Sequence, residues 1–353
     1  MKILDRYLAR AVIGGTLMAL LVLLAIDVFF AFMNEVGDIG QQQYGLVDAL
    51  YYVLLTIPRR FSDLFSMAAL LGTMMSLGVL AGHSELISIR VAGVSIGRIL
   101  WAVMKAGLLM LLVVTAVSEY VAPETDQLAQ KVRTQAITGN TAFQSGYGAW
   151  VRDGRRFINI GRILPDGRMQ QIKVYQLDPD WRLREFISAG GAAYQEGYWQ
   201  LKQTTRAEIG ADGFQPSQHR QERWESLIDP QLLNVLTLDP ASLSVRDLLG
   251  YIRYLNNNAL DSRHYELAFW KQVFAPLSTL VMLLLATPFV FSAQRSGSAG
   301  QRLLIGVLIG VAYYLADQLM SRMGLVYGFY PLLSALLAPL LFALAGLAML
   351  RRV

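Results

Sequence analysis

The chain has no cysteine in its 353 residues, so it can form neither a disulfide nor a thiolate metal site, and any domain it holds outside a cytoplasm must stand on packing alone. Charge is scarce as well, at 16%, against about a quarter in soluble chains. Its three histidines, His83, His219 and His264, are far apart and form no HExxH pair. No Gly-Lys dipeptide occurs anywhere, which removes the phosphate loop GxxxxGK[ST] and nucleotide hydrolysis by that route. These gaps leave no enzyme legible in the sequence.

What is present is apolar: 54% of residues are hydrophobic and mean hydropathy is +0.39, the composition of a membrane protein. Runs long enough to cross about 30 Å of hydrocarbon lie at Ala11–Met33, Leu64–Ala81, Ile99–Val117, Phe269–Ser292, Leu303–Met320 and Leu332–Leu350. A polar stretch, 119–266, separates two triplets and is large enough to be a domain. The expected plan is three spans over 1–118, one domain over 119–266 and three spans over 267–353. Lys2, Arg6, Arg10, Arg90, Arg98, Lys105, Arg295, Arg302, Arg351 and Arg352 gather at one set of span ends, opposed there only by Asp5 and Glu85. The positive-inside rule makes those ends and both termini cytoplasmic and puts the domain outside. The first apolar run exceeds the h-region of a removable signal peptide.

In the outer region "YGAWV", "RFINI", "QQIKVYQL", "LREFIS" and "YWQLKQT" read as short strands, with "RDGR", "LPDG", "DPDW" and "AGGA" as turns. The fold class is therefore a polytopic α-helical membrane protein with six transmembrane helices and an inserted all-β domain, a sandwich or jelly roll. That domain reads equally well as a rigid cap or a binding platform. After it, "DPASLSVRDLLGYIRYLNNN" turns helical, with Leu243, Leu248, Leu249, Ile252 and Leu255 at helix spacing and Asp239 or Ser242 as caps.

Between spans two and three, on the cytoplasmic side, "GVLAGHSELISIRVAGVSIGRIL" interrupts the apolar run. At about 100° per residue, Ser84, Glu85, Ser88, Ala92 and Ser95 share one arc, and Leu86, Ile89, Gly93 and Val94 take much of the rest. A short amphipathic helix over about 83–95 follows. It either plugs into a partner's groove through Glu85 or lies on the lipid with Glu85 solvated, and pattern alone leans to the second.

Cations also occur at the outer ends, where few are expected: Arg59, Arg60, Arg133 and Arg322. As a set they suit phosphate; singly, each could snorkel or pair with acids such as Asp63 and Glu124. Asp27 in span one and Asp317 in span five should face a cavity or a neighbouring span rather than lipid. Phe29, Phe30, Phe32 and Met33 read as acyl-chain contacts or interfacial anchors. Gly306-xxx-Gly310 permits close helix packing.

Quoted in order, "LDRYLAR", "MAALLGTMMSLGVLAGHSELISIRVAGVS", "VAPETDQLAQKVRTQA", "LDPASLSVRDLLGYIRYL", "FWKQVFAPLSTLVMLLLATPFVF" and "LADQLMSRMGLVYG" run the length of the chain. Together they resemble the YjgP/YjgQ permeases, the LptF/LptG family of lipopolysaccharide exporters, and lie nearer its LptG branch than LptF. The resemblance implies a bacterial inner-membrane heterodimer with an LptF-like permease on an LptB-like ATPase dimer, beside an LptC-like single-span bridge protein. Lipopolysaccharide is the implied substrate, nucleic acid plays no part, and this chain binds no cofactor because ATP and Mg are used by the ATPase. Under it, Ser84, Glu85, Leu86, Ile89, Arg90 and Gly93 form the ATPase-coupling helix. The substrate-facing set is Asp27, Phe30, Met33, Arg59, Arg60, Arg133, Asp317 and Arg322, with Arg59 and Arg133 matching basic family positions. Relatives carry lysines where Ala31, Gly37 and Asp38 stand here, so Arg59 and Arg60 are expected to compensate. The implied mechanism is extraction driven by the ATPases, with the β domain offering the acyl chains a dry path by strand addition. Without the resemblance, a membrane-anchored sensory or structural protein with a ligand-binding outer domain fits the same composition.

Overall fold

The computed structural model describes residues 3–138, 149–163, 168–195, 198–210, 213–224, 240–258, 260–292 and 299–351. Among them, six helices are long and apolar enough to cross a membrane. Helix α1 (Ile3–Val36) is followed by α2 (Leu46–Gly82), the short α3 (Glu85–Val91) and α4 (Ile96–Ala116). A π-helical turn, Val117–Val121, carries α4 without a break into α5 (Ala122–Thr138). After the strands come a 3-10 turn (Pro240–Ser242), α6 (Val245–Asn257), α7 (Arg263–Ser292), α8 (Ala299–Tyr327) and α9 (Pro331–Leu350).

The helices overrun the apolar stretches that announce them. Helix α2 begins at Leu46, well before Leu64, and keeps Pro58 inside it. Proline removes one ladder donor, and the Ser62 hydroxyl donates to the Pro58 carbonyl across that turn at 3.2 Å. Span three likewise runs on to Thr138 and packs its polar half along α2. The change from helix to strand therefore falls later than position 119, and the first described strand starts at Ala149.

Helices α1 and α2 approach through glycine. A Cβ on Gly72 would sit 2.3 Å from Thr16 Cα, and one on Gly15 would sit 2.6 Å from the Gly72 carbonyl oxygen. The Ser76 hydroxyl donates to the Ala11 carbonyl at 2.8 Å across the same seam. Such small-residue contacts take the place of a hydrophobic driving force between helices in lipid. Gly306 and Gly310 also face α2, where added Cβ atoms would meet Leu71 at 2.9 Å and Met67 at 3.1 Å.

Six strands, β1 (Ala149–Asp153), β2 (Arg156–Ile163), β3 (Met169–Leu177), β4 (Leu183–Gln195), β5 (Tyr198–Gly210) and β6 (Gly213–Trp224), form one antiparallel sheet in sequence order. It is a meander, and no Greek-key crossover of the jelly-roll kind occurs among the described strands. Ile158, Ile160, Ile172, Val174, Ile187, Trp199 and Leu201 supply its buried face. The "AGGA" segment is not a turn; Ala189 to Ala192 lie inside β4. Gln171 and Gln203 adopt positive φ, +54° and +53°, and the register sets Gly161 and Gly190 opposite them. A Cβ on either glycine would lie 2.8 or 2.6 Å from a glutamine Oε1. Burial slips by one residue at this row: Met169 and Ile172, Ala189 and Ala192, Leu201 and Thr204 are buried three apart. The glycines thus mark a kink across the sheet. Strand β6, absent from the sequence expectation, is polar and exposed and carries Pro216, as an edge strand permits.

Helix α6 returns the chain to the spans. Its cap is Ser244, whose hydroxyl accepts from the Asp247 amide at 3.1 Å. Ser242 lies in the preceding 3-10 turn, and Asp239 falls outside the described residues. Leu243, Leu248, Tyr251 and Leu255 are buried against the start of α7.

Candidate functional site

A cavity of about 870 Å³ opens between α2, the end of α4, α7 and α8, with Pro240, Ala241 and Val245 at its edge. Its walls are mostly apolar, from Leu64, Met67, Leu111, Val114, Leu267, Phe274, Met282 and Leu325. Ser66 and Thr279 close a hydroxyl pair at 2.8 Å between α2 and α7. Charge collects on one side of this space. Asp27, Arg59, Arg60, Asp63, Glu119, His264, Lys271, Asp317 and Arg322 all line it.

The charged groups are largely matched. Arg60 Nη1 donates to Asp27 Oδ2 at 2.6 Å, and its Nε donates to Thr56 Oγ1 at 3.0 Å. Arg59 pairs with Asp63 at 3.3 Å, one turn away, and also donates to the Ala241 carbonyl. Lys271 Nζ lies 2.7 Å from Asp317 Oδ2, joining α7 to α8. Glu119 accepts from the Val245 amide at 3.1 Å, the first turn of α6, where a carboxylate suits the helix dipole. Arg322, by contrast, is exposed, and no acid lies within ion-pair distance of it among the described residues. The combination is an apolar chamber with a mouth of internally neutralised ion pairs and one open guanidinium. An amphiphile with an anionic head fits such a chamber.

Of the residues singled out in the sequence, Asp27, Arg59, Arg60, Asp317 and Arg322 meet at this cavity. Phe30 and Met33 do not line it; they are exposed on the outer flank of α1. Arg133 sits elsewhere, in a knot that ties α5 to the end of α1. Its Nε donates to Glu35 at 2.9 Å, its Nη2 to Asp38 at 2.5 Å, and its guanidinium lies 5.5 Å from the centre of the Tyr52 ring. The Tyr44 hydroxyl adds a bond to Glu35 at 2.7 Å, and burial, followed by that bond, pushes its phenol well above the usual range. Glu35, Tyr44 and Lys271 went unremarked in the sequence; the partners of Glu35 and Lys271, Arg133 and Asp317, are distant in the chain. Asp38 shares Arg133 with Glu35.

At the other end of the spans, α3 covers only Glu85–Val91, shorter than the 83–95 expected. Leu86 is wholly buried, Ile89 packs against the same cluster, and Glu85, Ser88 and Arg90 face outward. Gly93 takes φ +85° in the turn that follows. Gly93-Val94-Ser95-Ile96-Gly97 spells the GxSxG of a nucleophile elbow. That motif needs a strand-to-helix turn; Ser95 instead follows a helix, has φ −70° and N-caps α4.

A family model described as lipopolysaccharide export system permease LptF/LptG matches residues 6–352. The chain belongs to the LptF/LptG family. It is 33% identical over 341 residues to the lipopolysaccharide export system permease protein LptG of Haemophilus influenzae, covering 96% of this chain and 95% of that one. It is 32% identical over 353 residues to LptG of Escherichia coli K12, covering 99% and 98%. As an LptF/LptG permease with six helices long and apolar enough to cross a membrane among its described residues, it is a multi-pass inner-membrane protein.

Proposed function

We propose that this chain is the LptG-type permease of a lipopolysaccharide exporter, which lifts its substrate out of the inner membrane's outer leaflet. The observation that carries this reading is the apolar cavity with cations at its mouth in a chain related to LptG over nearly its full length. The acyl chains enter the apolar part and the phosphates meet Arg322 first, with Arg59 and Arg60 available once Asp63 and Asp27 release them. Glu85 and the outward face of α3 dock a separate LptB-like ATPase, which binds the ATP and Mg, so that this chain needs no cofactor.

The β domain stands in the periplasm and both termini in the cytoplasm, following the Lys and Arg bias of the span ends. Helices α1 and α8 present wide apolar faces, including Leu17, Leu21, Phe29 and Phe30 on one and Leu304, Leu308 and Leu315 on the other. These faces are the seats of an LptF-like permease and an LptC-like bridge span. The six-stranded β domain then receives the acyl chains and passes them to the next such domain by strand addition.

Chain exchange tests the reading. This gene should rescue cells depleted of LptG and fail to rescue cells depleted of LptF; the reverse pattern would assign it the sister role, and failure in both would remove the exporter reading.

A further inference from the structure

The inner end of α1 touches α3 through one polar contact. The Tyr7 hydroxyl donates to Glu85 Oε2 at 2.5 Å, while His83 Nδ1 lies farther off, 3.9 Å from Oε1. Seven residues are too few for a helix to stand alone, and α3 has no side-chain cap, since Ser84 enters it at φ +61° and bonds to its amides only through its backbone carbonyl. Tertiary contacts must therefore place it. They include Leu86, buried in the cluster that holds Leu8 and Val12 of α1, with Ile89 packed against it, Arg90, whose guanidinium lies 5.8 Å from the Phe291 ring centre at the end of α7, and the Tyr7–Glu85 bond.

The turn of α1 that carries Tyr7 is anchored on its other side. Asp5, buried, pairs with Lys105 of α4 at 3.1 Å. From there α1 runs to Val36 with no proline in its sequence. Asp27 lies 20 residues beyond Tyr7 on the same helix, which at 1.5 Å per residue is about 30 Å along the axis. One rod thus joins the α3 carboxylate to the Asp27–Arg60 pair at the cavity mouth.

We infer that Tyr7 is a positioning residue for coupling: its phenol fixes the Glu85 carboxylate and passes displacement of α3 to α1, and so to the cavity wall. The inference rests on the reading above, in which α3 docks the ATPase. With the phenol gone, α3 keeps its apolar seat and its docking face, but a push on it is shared less with α1. Hydrolysis continues while the substrate step lags.

The experiment uses the whole complex, permeases and ATPase, in lipid nanodiscs or proteoliposomes. Tyr7→Phe should assemble normally and keep ATP hydrolysis within about twofold of the parent, while lipopolysaccharide released per ATP falls at least fivefold. Replacing Tyr7 with 4-aminophenylalanine, which restores a donor, should recover most of the ratio. An unchanged ratio in Tyr7→Phe overturns the inference and leaves the docking reading standing. Loss of assembly in Tyr7→Phe also overturns it, because a group that only aims the Glu85 side chain is not needed for the fold. If Glu85→Ala still captures the ATPase and transports normally, the docking reading itself has failed.

Discussion

Neutralising Asp27 should strengthen phosphate capture rather than weaken it. Asp27 holds Arg60 Nη1 at 2.6 Å, and the two side chains are 37% and 25% exposed. Charge centres about 4 Å apart attract by about 4 kcal/mol at an effective dielectric of about 20. Partial exposure and the competition of Thr56 for the same guanidinium reduce what the pair withholds to about 1–2 kcal/mol. In Asp27→Asn, Arg60 keeps its bond to Thr56 Oγ1 and turns an uncompensated charge toward the cavity, beside Arg322. The concentration of lipopolysaccharide that half-saturates stimulated ATP hydrolysis in the assembled complex should fall about tenfold, at about 1.4 kcal/mol per decade. Dephosphorylated substrate should show no gain, and the double variant Asp27→Asn/Arg60→Gln should return to the parent value or below. An unchanged or weaker half-saturation in stably assembled Asp27→Asn would refute the view that the acid masks a phosphate-binding arginine.

Arg322→Gln should reduce photocrosslinking of lipopolysaccharide from cavity positions several-fold without lowering the melting temperature, since this side chain has no ion-pair partner among the described residues to lose. Arg133→Gln should do the opposite, costing about 3 kcal/mol of stability by stranding the buried Glu35 carboxylate, with Glu35→Gln added to it restoring part of the loss; a thermal melt separates the two arginines. Gly72→Ala drives a methyl into the Thr16 backbone and should cost about 3 kcal/mol or prevent assembly, read by size-exclusion recovery. Tyr254 donates to the Arg152 carbonyl at 2.8 Å, and burial raises its phenol to about 12. A phenol raised on folding stabilises below its ordinary pH 10 range and loses that contribution as pH rises through about 12, so Tyr254→Phe should flatten the alkaline part of the unfolding curve.

The six spans were legible because hydropathy is a local property, and each apolar run lies inside a helix of the structure. Their ends were not. Leu46 to Asp63 is cut off from the apolar run by Pro58, Arg59, Arg60 and Asp63, and Glu119 to Thr138 reads as polar, yet both are helical and pack on each other, and nothing in one stretch announces its partner. The sheet divides in the same way. Five strands with apolar alternation were visible, while β6 pairs along its whole length with β5 and exposes polar side chains, leaving no period to detect. "AGGA" misled because glycine serves a turn and a kink equally, and only the glutamines opposite, one strand to either side, decide between them.

Of the residues singled out by type, Asp27, Arg59, Arg60, Asp317 and Arg322 meet at the cavity, but type gave no sign of their pairing. Arg59, Arg60 and Arg133 look equivalent in the sequence as outer cations, and the structure separates them by the acids within reach: Asp63, Asp27, and Glu35 with Asp38. A cation matched to an acid enters a low-dielectric region at far lower cost than a bare one, so these pairs are what lets a charged mouth persist at the edge of an apolar chamber. Pairing also limits the affinity of Arg59 and Arg60, because a phosphate that reaches either must displace a carboxylate that is covalently part of the same wall. An exporter has to release what it captures. A mouth whose acids return to their arginines once the head group leaves supplies that release, and a mouth of unpaired cations in the same places would hold the substrate in the membrane.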